Sequence, residues 1–277
     1  MAKILSILLL SLIASIAVNA QFALETIDNT ADAETTKQRI SQIRSFDHRG
    51  FDAAVVVDTE SKNKINYRLF KPIKNETQKY PLVVFFHGSG AIGTDNVSHL
   101  GILPKLFASA ESQKKYPAYI LAPQFPDRSS DYVLDKDRNI LVSNPRSSLK
   151  TVLKLIDSLK KELNIDEKRI YAVGFSMGGS TVINSLLAKP EMFAAGISIS
   201  GIPQFGNIEK LSTIPIWLIH GIDDTENPID SDEQFYKEGN KKKIRFWKLT
   251  ATTHDNVFTP QLLDDTLPNW LFKHRKK

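Results

Sequence analysis

The stretch Gly174-Phe175-Ser176-Met177-Gly178 decides the fold of this 277-residue chain. Residues 169–173 before it are β-prone, and residues 179–188 after it read as a helix. Glycines are needed on both sides of Ser176 because side chains there would clash with the neighbouring strand and helix. The turn exposes the serine hydroxyl at a helix N-terminus, where an anion is stabilised. The stretch predicts a nucleophilic serine; the alternative is an ordinary glycine-rich turn.

Apolar runs alternate with amphipathic stretches along most of the chain. Buried strands are predicted over residues 82–86, 118–121, 169–173, 193–199, 214–219 and 244–249. Helices are predicted over residues 149–163 and about 260–272, and an antiparallel hairpin over residues 53–57 and 65–70. Strands that alternate with helices indicate an α/β fold with a mostly parallel sheet. We therefore expect that sheet to carry helices on both faces and an antiparallel N-terminal hairpin.

The N-terminal residues 1–20 have the pattern of a signal peptide. Lys3 precedes an apolar run over residues 4–18, and Ala20 fits the position before cleavage at Gln21. A membrane anchor is the alternative, but a span needs about 20 apolar residues. Residues 21–50 carry no clear period and are expected to be an N-terminal extension, with one α/β domain over residues 51–277. We therefore expect a secreted or periplasmic protein without a stable membrane anchor after cleavage.

Composition excludes several classes of function. The chain has no cysteine, which excludes disulfides, thiolate zinc sites and a cysteine nucleophile. The net charge of +5 lies largely in residues 241–243 and 275–277, without interleaved aromatic residues, so we expect a solvated surface and no nucleic-acid partner. No histidine or carboxylate cluster has metal-ligand spacing, and residues 88–90 lack the rest of a phosphate-binding loop. We expect neither a metal nor a cofactor, and the oligomeric state stays open.

Polar residues follow the predicted strands at the edge of the sheet where such folds bind ligands. A serine hydroxyl needs a base, a group that orients the base, and donors for the oxyanion. We assign Ser176 as nucleophile, His254 as general base and then acid, and Asp224 as the group that orients His254. The backbone N–H groups of Met177 and Ser89 are the predicted oxyanion donors.

Other residues compete for these roles. Of the six histidines, His87 and His220 each precede a glycine at a strand end and are expected to brace loops by hydrogen bonding. His48 precedes the core, His99 lies in a polar loop and His274 lies in the tail. Asp223 stands beside Asp224 but is one residue short of the spacing expected after the strand-end histidine.

The motifs together resemble the α/β-hydrolase superfamily. Residues 81–90 with 93–96 look like its oxyanion-loop region, and residues 174–179 and 220–224 match its nucleophile and acid motifs. The resemblance is to the phospholipase/carboxylesterase, feruloyl-esterase-like and predicted-peptidase group. It covers about residues 50–273 and includes the order serine, aspartate, histidine along the chain. Departures from that group lie at Ala91-Ile92, Asn227 and Val257, positions expected to flank the substrate.

The resemblance implies a serine esterase that acts on small-molecule or carbohydrate-linked esters, such as acyl esters of carbohydrates or phenolic acids. A peptidase of the prolyl-oligopeptidase type is the second enzyme hypothesis, although about 30 residues upstream cannot supply that family's propeller domain. A non-catalytic hydrolase-fold binding protein is the third hypothesis. Retention of Ser176, Asp224 and His254 favours an enzyme.

Overall fold

The computed structural model describes residues 22–29, 32–72 and 78–277. The predicted signal peptide, residues 1–20, and its cleavage position at Gln21 lie outside the described residues. Within the described ranges, no helix combines the length and the apolar character needed to cross a membrane.

The described residues form a nine-stranded sheet and a separate two-stranded hairpin. The strands are β1 Leu24–Ile27, β2 Asp52–Val57, β3 Lys64–Phe70, β4 Tyr80–Phe86, β5 Tyr119–Gln124, β6 Ser130–Asp135, β7 Ile140–Pro145, β8 Ile165–Phe175, β9 Ala195–Ile199, β10 Ile216–Gly221 and β11 Ile244–Leu249. The order across the large sheet is β1-β11-β10-β9-β8-β4-β5-β3-β2, and β6 pairs with β7.

Helices connect most of the parallel strands. They are α1 Ala33–Arg44, α2 Ile102–Ala108, α3 Ala110–Lys115, α4 Ser148–Glu162, α5 Met177–Ala188, α6 Asp230–Glu238 and α7 Thr266–Leu271. Short 3-10 helices lie at His48–Gly50, Ser89–Ala91, Ile208–Leu211 and Pro260–Leu262.

The pairing of the strands confirms the predicted fold class. Strand β3 is antiparallel to β2 and β5, and the other neighbouring pairs of the large sheet are parallel. Because parallel strands share one direction, the chain leaves β4, β8 and β10 at the same edge of the sheet. Three predicted polar segments therefore meet at that edge.

The central strand β4 shows how the sequence builds two cores. All of its residues are buried, and successive side chains of a strand point to opposite faces. Leu82 and Val84 join the cluster that packs against α4 and α5, whereas Val83 and Phe85 join the cluster that packs against α2 and α7. A strand covered on both faces reads as a continuous apolar run, which is why the sequence predicts it.

The N-terminal segment before β2 contains regular secondary structure, although its sequence shows no clear hydrophobic periodicity. Strand β1 pairs in parallel with β11 at the edge of the large sheet. Helix α1 begins after Asp32, whose carboxylate accepts hydrogen bonds from the backbone N–H groups of Glu34 and Thr35. The closing helix predicted over about 260–272 is shorter than expected, since a 3-10 helix at Pro260–Leu262 precedes α7. The β6–β7 hairpin was not predicted.

Candidate active site

Ser176 lies in the turn between β8 and α5. Its backbone has φ 58° and ψ −124°, a left-handed conformation that is strained for a residue with a side chain. A Cβ added to Gly178 would lie 2.0 Å from the carbonyl oxygen of Phe86, so only glycine fits there. The N–H of Ser176 donates to the carbonyl of Ile199 at 2.9 Å, which anchors the turn to β9. The sharp turn predicted from the sequence is present.

His254 joins the serine to an aspartate. Its Nε2 lies 2.8 Å from Oγ of Ser176, and its Nδ1 lies 2.7 Å from Oδ2 of Asp224. Because a carboxylate only accepts, the Nδ1–H donates to Asp224 and leaves the Nε2 lone pair to accept the serine proton. The three side chains, although separated by up to 78 positions along the chain, form one continuous line of hydrogen bonds.

The second oxygen of Asp224 is also engaged. Its Oδ1 accepts the backbone N–H groups of Glu226 at 3.0 Å and Asn227 at 2.9 Å. Burial alone would raise the pKa of Asp224, but hydrogen bonds from His220 and His254 hold that pKa well below its usual range. Asp224 therefore stays ionised at neutral pH and faces the imidazole in a fixed orientation.

The neighbouring Asp223 does not enter this arrangement. Its side chain is exposed, while its backbone N–H donates to the carbonyl of Thr252 at 2.9 Å. Between the two adjacent aspartates, the structure brings Asp224 and not Asp223 to His254.

His87 braces the loop that follows β4. Its Nδ1–H donates to the carbonyl of Gly88 at 2.8 Å, and its Nε2 accepts the N–H of Phe125 at 2.9 Å. Burial lowers the pKa of His87, in agreement with the neutral imidazole that this pattern requires. Both ring nitrogens are therefore occupied by the loop.

The predicted oxyanion donors lie at the starts of two helical turns. Ser89 begins the 3-10 helix after β4, and Met177 begins α5 after β8; these two strands are neighbours. N–H groups in the first turn of a helix have no partner within the helix. A Cβ added to Gly88 would lie 3.5 Å from Cβ of Ser176, so the loop before Ser89 passes beside the serine. The role of these donors stays a prediction.

A cavity of about 210 Å³ opens beside this arrangement. Its walls are mostly apolar and include Phe85, Gly88, Ile102, Phe175 and Phe258. The ring of Phe175 lies 4.9 Å from that of His254 and 5.1 Å from that of Phe258, between centroids. The cavity therefore adjoins the base and can hold an apolar group.

His99 also lines this cavity. It was expected in a polar loop, but its side chain is buried, and its Nε2–H donates to the carbonyl of Ala122 at 3.0 Å. Burial lowers the pKa of His99 to about 4. His274, expected in the tail, is likewise buried, whereas His48 is half-buried in a 3-10 helix. Among the hydrogen bonds of the described residues, Ser176 is bonded to His254 and to none of these three histidines.

Two departures from the family pattern lie in the interior. Val257 is fully buried, and Asn227 is nearly so. Asn227 supports the acid through its N–H and ties the loop to Ser200, whose carbonyl accepts from Nδ2 at 2.7 Å. This role of Asn227 was not predicted from the sequence. The signal that could have indicated it is a local turn, in which an aspartate side chain accepts the backbone N–H of the residue three positions later. Ala91 lines the cavity.

In the part of the chain that the structure describes, no group of three or more histidine, cysteine, aspartate or glutamate side chains is placed to hold a metal ion.

A family model for phospholipases and carboxylesterases matches residues 70–257, more than half of the chain. This chain belongs to the phospholipase/carboxylesterase family. The crystal structure of a thermostable esterase is similar to it, with a TM-score of 0.74 and 34% identity over 82% of this chain and 64% of that chain. The family and the α/β-hydrolase fold predicted from the residues are thereby confirmed.

Curated relatives of this family member match over shorter stretches. The bifunctional acetylxylan esterase/xylanase XynS20E of Neocallimastix patriciarum is 37% identical over 31% of this chain and 13% of that protein. The putative esterase NocK of Nocardia uniformis subsp. tsuyamanensis is 24% identical over 54% of this chain and 42% of that protein. The matches thus span less than half of either relative.

More distant structures share the fold. A CE1 ferulic acid esterase from Anaeromyces mucronatus has a TM-score of 0.56 at 12% identity, over 77% of this chain and 88% of that chain.

Proposed function

We propose that this protein is a serine esterase that hydrolyses carboxylic esters through an acyl-enzyme on Ser176. The observation that carries the proposal is the line of hydrogen bonds from Ser176 through His254 to Asp224, at 2.8 and 2.7 Å. Membership of the phospholipase/carboxylesterase family supports it.

In the proposed reaction, Oγ of Ser176 attacks the ester carbonyl carbon while its proton passes to Nε2 of His254. Asp224 stabilises the imidazolium that forms. The N–H groups of Ser89 and Met177 donate to the oxyanion. The imidazolium then gives its proton to the departing alkoxide, and an alcohol leaves. Water, deprotonated by His254, attacks the acyl-enzyme, and a carboxylic acid is released as Ser176 regains its proton.

The proposed substrates are small-molecule or carbohydrate-linked acyl esters, including esters of carbohydrates and phenolic acids. The name of the acetylxylan esterase relative supports a carbohydrate-linked ester. The apolar cavity beside Phe175 supports an ester with an apolar part of limited size. No nucleic-acid partner is proposed.

Steady-state hydrolysis of aryl esters of increasing acyl length tests this function. The wild type should hydrolyse them, and Ser176→Ala should lose nearly all turnover while it keeps its melting temperature. Ser198→Ala is the matched control, because Ser198 is also buried and its hydroxyl has no hydrogen-bond partner within the described ranges.

The same preparations separate the other hypotheses. Faster cleavage of acyl-peptide anilides than of any ester would favour a peptidase. Binding of an ester without Ser176-dependent turnover would favour a non-catalytic binding protein.

We also propose that the protein is secreted or periplasmic, from the pattern of Lys3, the apolar run over 4–18 and Ala20. Intact-mass analysis of exported protein should give a chain that begins at Gln21. An exported product that retains Met1 would refute cleavage.

A further inference from the structure

His220, in strand β10, is fully buried with both ring nitrogens engaged. Its Nδ1 lies 2.7 Å from Oδ2 of Asp232, and its Nε2 lies 2.8 Å from the carbonyl oxygen of Asn227. The carbonyl can only accept, so Nε2 carries a proton. A further proton lies between Nδ1 and Asp232, and His220 with Asp232 is therefore a pair of zero net charge.

The pair touches the acid of the candidate site from two sides. Nε2 of His220 lies 3.4 Å from Oδ2 of Asp224, the oxygen that accepts the hydrogen bond from Nδ1–H of His254. The carbonyl of Asn227 accepts from His220, while the N–H of Asn227 donates to Oδ1 of Asp224. The His220 ring therefore contacts Oδ2 of Asp224 directly and is linked to Oδ1 through the backbone of Asn227.

The state of His220 follows from these contacts. Burial alone would lower the pKa of His220, but the hydrogen bonds to Asp224 and Asp232 outweigh burial and raise it to about 9. The ring therefore keeps both protons at neutral pH.

Packing alone does not account for Asp232. Acidic residues in the first turn of a helix are usually exposed and interact with the helix dipole, whereas Asp232 in α6 has no exposed surface. Its Oδ1 has no hydrogen-bond partner among the described residues. Burial of a carboxylate is unfavourable because the charge loses its hydration, and an apolar side chain at this position would avoid that cost.

We propose that His220 and Asp232 form a buried positioning pair, in which Asp232 fixes the His220 ring and the ring fixes Asp224 for its contact with His254. The catalytic consequence rests on the proposed function. Neither residue reaches the reacting serine, so both act through Asp224. The structural consequence, a fixed Asp224–His254 hydrogen bond, holds whether or not an ester is the substrate.

The test uses Asp232→Ala and Asp232→Asn in the full chain. Alanine removes the partner of Nδ1, whereas the asparagine amide can still donate to Nδ1 and leave the Nε2–H in place. Asp232→Val is made as a second disruptive variant in case alanine does not fold. Ser231→Ala is the matched control, since Ser231 is a buried neighbour that donates to the carbonyl of Leu141 at 2.7 Å.

Two readouts are measured on each variant. One is the proton NMR resonance of the His254 Nδ1–H, which needs no substrate. The other is kcat and KM for a short-chain aryl ester. Displacement of a catalytic group by about 1 Å can lower rates about 100-fold, so we expect Asp232→Ala or Asp232→Val to lose between about 10- and 100-fold in kcat. KM should stay unchanged, because only an interaction used in the transition state is lost.

We expect the His254 resonance to shift or broaden in the disruptive variants and to match the wild type in Asp232→Asn and Ser231→Ala. Asparagine should also restore most of kcat. An unchanged resonance in a folded disruptive variant would overturn the proposal. Equal losses in Asp232→Ala and Ser231→Ala, or in Asp232→Ala and Asp232→Asn, would also overturn it. A wild type that shows the resonance but hydrolyses no ester would instead count against the esterase function alone.

Discussion

Replacement of Asp224 by asparagine tests whether Asp224 is the acid that orients His254, because backbone N–H groups determine the orientation of the new amide. Oδ1 of Asp224 accepts two N–H groups, from Glu226 at 3.0 Å and Asn227 at 2.9 Å. An asparagine there keeps its carbonyl oxygen toward these donors and turns its NH₂ group toward His254. The amide then donates to Nδ1, so the ring proton moves to Nε2 and the base faces Ser176 with a hydrogen instead of a lone pair.

The magnitude follows from this inverted tautomer. The equivalent change in serine proteases lowers kcat about 10⁴-fold. Each tenfold corresponds to about 1.36 kcal/mol, so the transition state of Asp224→Asn should lie about 5 kcal/mol higher. Loss of the negative charge beside the imidazolium acts in the same direction.

The assay is kcat for one short-chain aryl ester, with thermal melting of each variant as the control for folding. Asp223→Asn is the matched variant, because Asp223 is exposed and adjacent to Asp224. It should keep kcat close to the wild type. If Asp223→Asn is the variant that loses activity, the acid is assigned one residue away from its true position. If neither variant loses activity, Asp224 is not the acid, despite its hydrogen bond to His254.

Two further predictions concern stability. His220, with a pKa raised from 6.5 to about 9, should stabilise the fold fully below about pH 6.5 and lose that contribution as the pH rises through about 9. Melting temperatures should therefore fall over this range, less so in Asp232→Asn, and parallel curves would contradict the pair. Gly178→Ala should lose about 1–3 kcal/mol or more, because its Cβ would meet the carbonyl of Phe86 at 2.0 Å. Gly90→Ala, with nothing within 4 Å of its added Cβ, should melt like the wild type, and equal melting of both would refute the clash.

The sequence predicts the buried strands of the fold because burial on both faces leaves a visible apolar run. Strand β1 has only four residues, and its partner β11 lies more than 200 positions later in the chain. No local sequence pattern therefore predicts that the two strands pair. Helix α1 has a cap at Asp32 that is visible in the sequence. Its composition is mostly polar, so its apolar face is too weak a pattern to predict the helix. The β6–β7 hairpin is partly exposed and lacks a continuous apolar run.

The residues of the candidate site could be predicted where each lies in a local sequence motif. Ser176, His254 and Asp224 each follow a strand, and their shared edge follows from a parallel sheet. The contacts by which His220 and Asp232 position Asp224 could not be predicted in the same way. Asp232 reads in the sequence as an ordinary acidic residue in the first turn of a helix, and only the folded structure places it against His220.

Ser176 is the nucleophile of the proposed reaction, and covalent labelling with a fluorophosphonate tests this claim without the need for a known substrate. The folded wild type should gain the mass of one phosphonyl group, and peptide mapping should place that group on Ser176. Ser176→Ala should remain unlabelled under the same conditions, and Ser198→Ala should be labelled like the wild type. Labelling at another residue, or ester turnover that persists in Ser176→Ala, would contradict the claim.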